Sequence, residues 1–371
     1  MERVDDRRGA DRPWSELPRS WMLRENEGET DRENRRGVAP MAAVATNKPA
    51  ETGTRTTDAR IAQTRRVIRR GLGALWILDG LLQLQPAMFS MAMLHNLMQP
   101  LAQGQPVWVS GLINWAVAVM TPHVPLWNLG IVAIQILIGV LLLSERHESW
   151  MRAGLMVSVV WSAVVWLFGE GLGGILTGSA SVLSGAPGSV LLYAWLAVLL
   201  LLDDRAWAFG AGFNWVRDGV AIFWALAALQ QLVPVFWSPI GLSSQFQSNL
   251  MMQPHAFAAT IAWIVSLSYS HAVWINLALV LAMAYLAWGL YGAHPQPSAY
   301  ALAALLLALI WWLGQGFGDI FTGMATDLNT VPLIGLMMVP GWMARHTVQA
   351  PRKPAGGTGR SEPETRPSLV S

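Results

Sequence analysis

Residues 126–144 read LWNLGIVAIQILIGVLLLS, a run without one charged side chain. A helix rises 1.5 Å per residue, so a run of this length matches the roughly 30 Å hydrocarbon core of a bilayer. Working outward, apolar runs of similar character occupy about 66–86, 153–169, 188–202, 218–234, 273–291, 298–314 and 330–344. Together these predict eight membrane-spanning helices in an all-α, polytopic integral membrane protein. Two shorter stretches, Pro106–Met120 and His255–Tyr269, fall below the roughly 20 residues that a perpendicular span needs. They are expected to be interfacial or re-entrant outer helices.

Composition excludes the soluble alternative. Hydrophobic residues make up 53% of the chain and charged ones 13%, whereas soluble surfaces carry roughly a quarter or more charge. Of 25 Lys and Arg, 16 lie in residues 1–70 and five follow Gly341, which leaves Arg146, Arg152, Arg205 and Arg217 for the apolar middle. The chain has no cysteine, which excludes thiol–disulfide chemistry, thiolate-ligated zinc and cysteine-ligated iron–sulfur clusters.

Residues 1–64 are polar, mixed in sign and rich in Arg, Glu, Gly and Pro. They are expected to be a disordered cytoplasmic tail, as is 346–371, because neither segment buries enough surface to offset chain entropy. Residues 1–64 do not have the form of a signal peptide, and Met41 is an alternative start.

With the two short stretches on the outer face, Arg65, Arg66, Arg69, Arg70, Arg146, Arg152, Arg205, Arg217, Arg345, Arg352 and Lys353 all fall on one side. That asymmetry predicts that both termini are cytoplasmic and that the protein resides in the cell membrane.

The chain also repeats itself. LQLQP at 82–86 recurs as QQLVP at 230–234, HNLMQP at 95–100 as NLMMQP at 249–254, and HVPLWNL at 123–129 as HAVWINL at 271–277. GEGLGGILTG at 169–178 recurs as GQGFGDIFTG at 314–323. Four blocks in one order at nearly constant separation predict two homologous four-helix repeats, 65–203 and 218–345, joined by a cytoplasmic linker over 204–217. An even number of spans per repeat makes the two parallel, related by an axis along the membrane normal.

A Gly-rich first helix with Gly80-Leu81-Leu82, a turn at Pro86 and Phe89, a long outer connection and three further helices resemble the DoxX/DoxD group of four-helix bacterial membrane proteins, here in tandem. The resemblance implies a bacterial inner-membrane protein and a quinone-linked redox role, since that group includes subunits linked to thiosulfate:quinone oxidoreduction.

Several residues are candidates for chemistry. Asp79 lies inside the first expected span, where a carboxylate costs several kcal/mol unless paired or neutral, and reads either as a proton or cation site or as a bridge between helices. Glu170 aligns with Gln315 and Asp319 with Gly174. If the Gly-rich block continues the third helix of each repeat, a four-residue spacing puts Glu170, Gln315 and Asp319 towards a shared outer cavity. A packed helix terminus is the competing reading of that block.

His95, His123, His255 and His271 are expected on the outer face, with Met91 and Met93 nearby. Imidazole and thioether ligands suit Cu(I) or an axial haem position, while packing and headgroup contacts explain the same residues without a metal. Asn128 and Asn276 are expected to make interhelical hydrogen bonds, and many of the 20 Trp to anchor span ends.

Three functions follow: a redox- or metal-linked membrane subunit holding copper, haem or a quinone in an outer-face site between the repeats, a proton-coupled transporter of a small solute, or a structural protein of the membrane. The partners expected are the lipid bilayer and a membrane or periplasmic redox protein; nothing points to nucleic acid.

Overall fold

The computed structural model describes residues 50–145, 147–208 and 212–348, and every regular element among them is helical. Arg146, the tail before residue 50 with Met41, and the tail beyond residue 348 lie outside the described residues. In chain order the α-helices are α1 (Ala50–Leu82), α2 (Val107–Met120), α3 (Val124–Leu143), α4 (Glu148–Phe168), α5 (Ser189–Leu201), α6 (Trp215–Gln231), α7 (Pro239–Gln247), α8 (His255–Ser270), α9 (Ala272–Gly289), α10 (Pro297–Leu309) and α11 (Thr330–Val348).

Among the described residues four stretches are long and apolar enough to cross a membrane: Val107–Leu143, Glu148–Phe168, Ala272–Gly289 and Pro297–Gly314. They mark the chain as a membrane protein. The first contains both α2 and α3, separated by a tight turn at Thr121–His123. Each of the eight segments expected to span lies largely within a helix, although α5 is apolar but short.

Residues 50–64, expected to belong to an unstructured tail, are instead helical and form the first part of α1. Ile61 packs against the core and Thr64 is buried, with its hydroxyl donating to Arg60 O. These contacts anchor the helix beyond the apolar run, in a segment whose five Thr and one Gly are poor helix formers by themselves.

The packing is set by small residues and by polar groups that tie helices together. Helix α1 lies along α3, and α6 along α9. A methyl group on Gly139 would sit 2.7 Å from Gly73 O, so only glycine permits that approach of α1 and α3. Asn128 Nδ2 donates to Gln83 O at 2.8 Å, and Asn276 Nδ2 to Gln231 O at 3.0 Å. Helix α4 packs on α3 and α5, and α11 contacts α1, α5 and α6.

Basic residues of α1 collect the C-terminal ends of other helices. Arg65 donates to Leu200 O and Leu202 O, pairs with Asp204 and lies over the Trp207 ring, while Arg69 donates to Leu142 O and Ser144 O. The last carbonyls of a helix have no intrahelical donor, and a guanidinium satisfies several at once. Arg70 pairs with Glu145 at 2.6 Å, which holds the Glu145 carboxyl below its ordinary range. The start of α4 joins this end, since Glu148 and Met151 line the same cleft as Arg65 and Arg69.

Candidate functional site

The Gly-rich block does not continue the preceding helix. After α4 ends at Phe168 the backbone turns left-handed, with φ of +53° at Gly171, +57° at Leu172, +63° at Gly173 and +68° at Gly174. The second block does the same at Gly316 (+52°), Phe317 (+57°), Gly318 (+70°) and Asp319 (+57°). A side chain in this region costs roughly 1–2 kcal/mol per residue and glycine costs almost nothing, which explains why glycines alternate here.

The turn also packs against backbone. A Cβ on Gly173 would lie 1.9 Å from Pro187 O, and one on Gly318 2.6 Å from Asp327 O. Trp166 Nε1 donates to Pro187 O at 2.8 Å and Trp311 Nε1 to Leu328 O at 2.9 Å, fastening each turn to the loop before the following helix. The expectation that Glu170, Gln315 and Asp319 share one face of continuous helices is therefore corrected.

The turn after α4 delivers Glu170 to a cavity of 310 Å³ among α1, α2, α3, α4 and the loop at Thr326 and Asp327. Its walls are apolar and aromatic, with Trp115, Trp127, Trp161, Phe168, Met93 and Met98; its polar lining comprises Asp79, Gln83, Gln135, Glu170, Thr326 and Asp327. Trp115, Val119, Trp127 and Val164 line the cavity and are also exposed on the outside of the helices, which places the mouth on an apolar surface.

The polar lining is only half satisfied. Tyr193 OH donates to Asp79 Oδ2 at 2.5 Å, with the Tyr193 ring centred 4.3 Å from that of Trp76. Glu170 Oε1 accepts from the Ser189 hydroxyl at 2.6 Å and from Val190 N–H at 3.2 Å. Asp327 accepts from Asn329 N–H at 2.5 Å and from the Thr326 hydroxyl at 3.2 Å.

Asp79 Oδ1, Gln83 Oε1, Gln135 Oε1, Glu170 Oε2 and Trp161 Nε1 are all buried and have no protein partner. Leaving such a group unpaired costs about 1–3 kcal/mol each, and all five belong to residues that line this cavity.

Among the described residues no Lys, Arg or His lines this cavity. Burial, reinforced by the neighbouring Asp327 charge, pushes the Glu170 carboxyl up to about 8, and burial likewise raises Asp327 above its ordinary value. Neighbouring buried carboxyls resist joint ionisation, so the cluster holds protons or a cation.

The other sequence candidates lie elsewhere. Gln315 is buried but donates to Val182 O at 3.0 Å and to Thr330 Oγ1 at 2.8 Å. Asp319 Oδ1 accepts from Gln253 Nε2 at 2.9 Å, and burial with the Asp327 charge raises Asp319 to about 6. Neither residue lines the cavity.

His95, His123, His255 and His271 are exposed, and His95 Nδ1 lies 2.9 Å from Gln99 Oε1. Met91 is exposed, whereas Met93 is buried in the cavity wall. Among the described residues no group of three or more His, Asp or Glu is placed to share a metal ion.

Sequence reasoning passed over Gln83, Gln135, Tyr193 and Trp161. A signal was present: Trp76, Asp79 and Gln83 follow helical spacing on α1. Comparison with family models, curated proteins and solved structures finds no match for the chain.

Proposed function

We propose that the protein is a multi-pass membrane protein of two parallel four-helix repeats, and that the first repeat binds a lipid-soluble small molecule in the cavity between α1, α2, α3 and α4. The observation that carries this reading is one aromatic-walled cavity lined by Asp79, Gln83, Gln135 and Glu170, each of which has a buried side-chain oxygen without a protein partner. Ligand sites are typically apolar concavities with a few converging polar groups. The exposed apolar mouth favours entry from the lipid, with the polar end of the ligand against Asp79 and Glu170.

The repeat draws support from contacts that recur at matching positions. Asn128 to Gln83 O is repeated by Asn276 to Gln231 O, Trp166 to Pro187 O by Trp311 to Leu328 O, and the left-handed turn after Glu170 by the one after Gln315. In this arrangement α1, α3, α4 and α5 correspond to α6, α9, α10 and α11, all eight cross the bilayer, and α2 and α8 are the outer helices. The gathering of Arg65, Arg69 and Arg70 at the C-terminal ends of α3 and α5 supports a cytoplasmic location for that end and for both termini.

The cavity narrows the cofactors expected from the sequence. Copper and haem would need the outer histidines and methionines to converge, while a quinol has hydroxyls to donate to the unpartnered oxygens. A carboxyl cluster running from Asp79 in α1 to Glu170 and Asp327 in loops also favours a second reading, proton-coupled transport of the ligand.

The ligand reading is tested by extracting the protein, purified from its own membrane, with organic solvent and comparing wild type with Ala116→Trp by mass spectrometry. Ala116 lines the cavity on α2, and an indole there fills the space. A small molecule present with wild type and absent from the variant is expected; identical extracts would count against a ligand in this cavity.

A further inference from the structure

We infer that the molecule bound in the first-repeat cavity is a lipophilic ammonium, a small organic cation bearing N–H groups and an apolar body, which enters in exchange for a proton. The inference rests on the ligand reading of this cavity and narrows its chemistry.

The unpartnered groups set the ligand's hydrogen-bonding character. Four of the five buried unpartnered atoms on residues lining this cavity, Asp79 Oδ1, Gln83 Oε1, Gln135 Oε1 and Glu170 Oε2, are oxygens that accept hydrogen bonds. A ligand that satisfies this set donates several hydrogen bonds, and an ammonium carries up to three donors and no acceptor.

Charge gives the second constraint. Three carboxyls, Asp79, Glu170 and Asp327, line the cavity without a basic side chain among the lining residues. Among the described residues the donors to Asp79 and Glu170 are neutral: the Tyr193 and Ser189 hydroxyls and the Ser189 and Val190 amides. A positive charge held there is stabilised by the carboxylates, and the aromatic walls at Trp115, Trp127 and Trp161 enclose an apolar body. A neutral alcohol or quinol supplies donors but leaves the carboxyls to be neutralised by protons alone.

Binding a cation to carboxyls that otherwise hold protons makes affinity depend on pH. The titratable groups facing the site are Asp79 from α1, Glu170 after α4, Tyr193 from α5 and Asp327 before α11; Asp319 lies outside the lining but interacts with Asp327. Helices α2 and α3 contribute no titratable group to the lining. Protonation of these carboxyls competes with the ammonium, so acid weakens binding.

The test is equilibrium dialysis of the full chain in nanodiscs against 2-phenylethylammonium and its uncharged isostere 2-phenylethanol. The ammonium is expected to bind more tightly than the alcohol by about tenfold or more, and to weaken by about a hundredfold or more from about pH 8 to about pH 5, while the alcohol changes little. Asp79→Asn and Glu170→Gln are each expected to remove the preference for the ammonium while still unfolding cooperatively by differential scanning fluorimetry, and Gly111→Ala, outside the lining, is expected to keep that preference.

Equal binding of both probes, abolished by Ala116→Trp, would overturn the cation assignment and leave the cavity as a site for neutral donors. Failure of both probes to bind above the Ala116→Trp background would overturn the ligand reading itself.

Discussion

Asp79 is held on one side by the Tyr193 hydroxyl and Glu170 by the Ser189 hydroxyl, each leaves its second oxygen without a protein partner, and both residues line the cavity. For Glu170 the sign of the pH effect follows directly. Its folded-state value of about 8 lies above its ordinary value of 4.5, so the folded protein binds this proton more tightly than the unfolded chain does. The stabilisation is complete below about 4.5 and is lost as pH rises through about 8. Thermal unfolding midpoints in detergent should therefore fall over this window, and Glu170→Gln should flatten the slope; a slope unchanged in the variant would contradict the burial of this carboxyl. Asp79 and Glu170 stood out in the sequence because charge in apolar surroundings is conspicuous. Gln83, Gln135 and Tyr193 did not, because uncharged polar groups in a span read equally well as interhelical hydrogen bonds until packing shows which oxygens stay unpaired.

At the level of elements, the left-handed turns after α4 and after Gly314 determine where the carboxyls point. Gly173 has φ +63° and stands against Pro187 O, so Gly173→Ala should lower the thermal midpoint and weaken ligand binding, with backbone strain of about 1–3 kcal/mol before any clash is relieved. Gly111 in α2 has open space around its Cβ position, so Gly111→Ala should be neutral or stabilising by about 0.5–1 kcal/mol. Differential scanning fluorimetry of the two variants distinguishes a turn that requires glycine from a general sensitivity to glycine loss; equal effects would contradict the left-handed turn. The helices themselves were readable from hydropathy, since each apolar run became a helix. The Gly-rich blocks were not, because glycine is compatible with a frayed helix as well as with a left-handed turn, and only the approach of Pro187 and Asp327 separates the two. The polar start of α1 was not readable because Ile61 and Thr64 pack there without forming an apolar run.

Across the whole molecule the two proposed repeats have unequal chemistry. The positions that recur for Asp79 and Gln135 are Ala227 and Met283, both buried and apolar. The second repeat thus contributes packing and, through Asp327, one carboxyl to the cavity of the first. This division was partly legible, because the absence of an acidic partner for Asp79 is visible in the sequence, whereas the reach of Asp327 across the molecule depends on the loop before α11. The orientation makes its own prediction. In this cysteine-free chain, Ser144→Cys should react with a membrane-impermeant maleimide only from the cytoplasmic side, and labelling from outside would reverse the topology. The most direct test of the central claim is an electron cryo-microscopy map of the protein purified with its native lipids. The account predicts non-protein density in the first-repeat cavity, with its polar end against Asp79, Gln83 and Gln135 and its body between Trp115 and Trp161. A cavity closed by those tryptophans, or one holding only a lipid acyl chain with no polar group at the carboxyls, would contradict it.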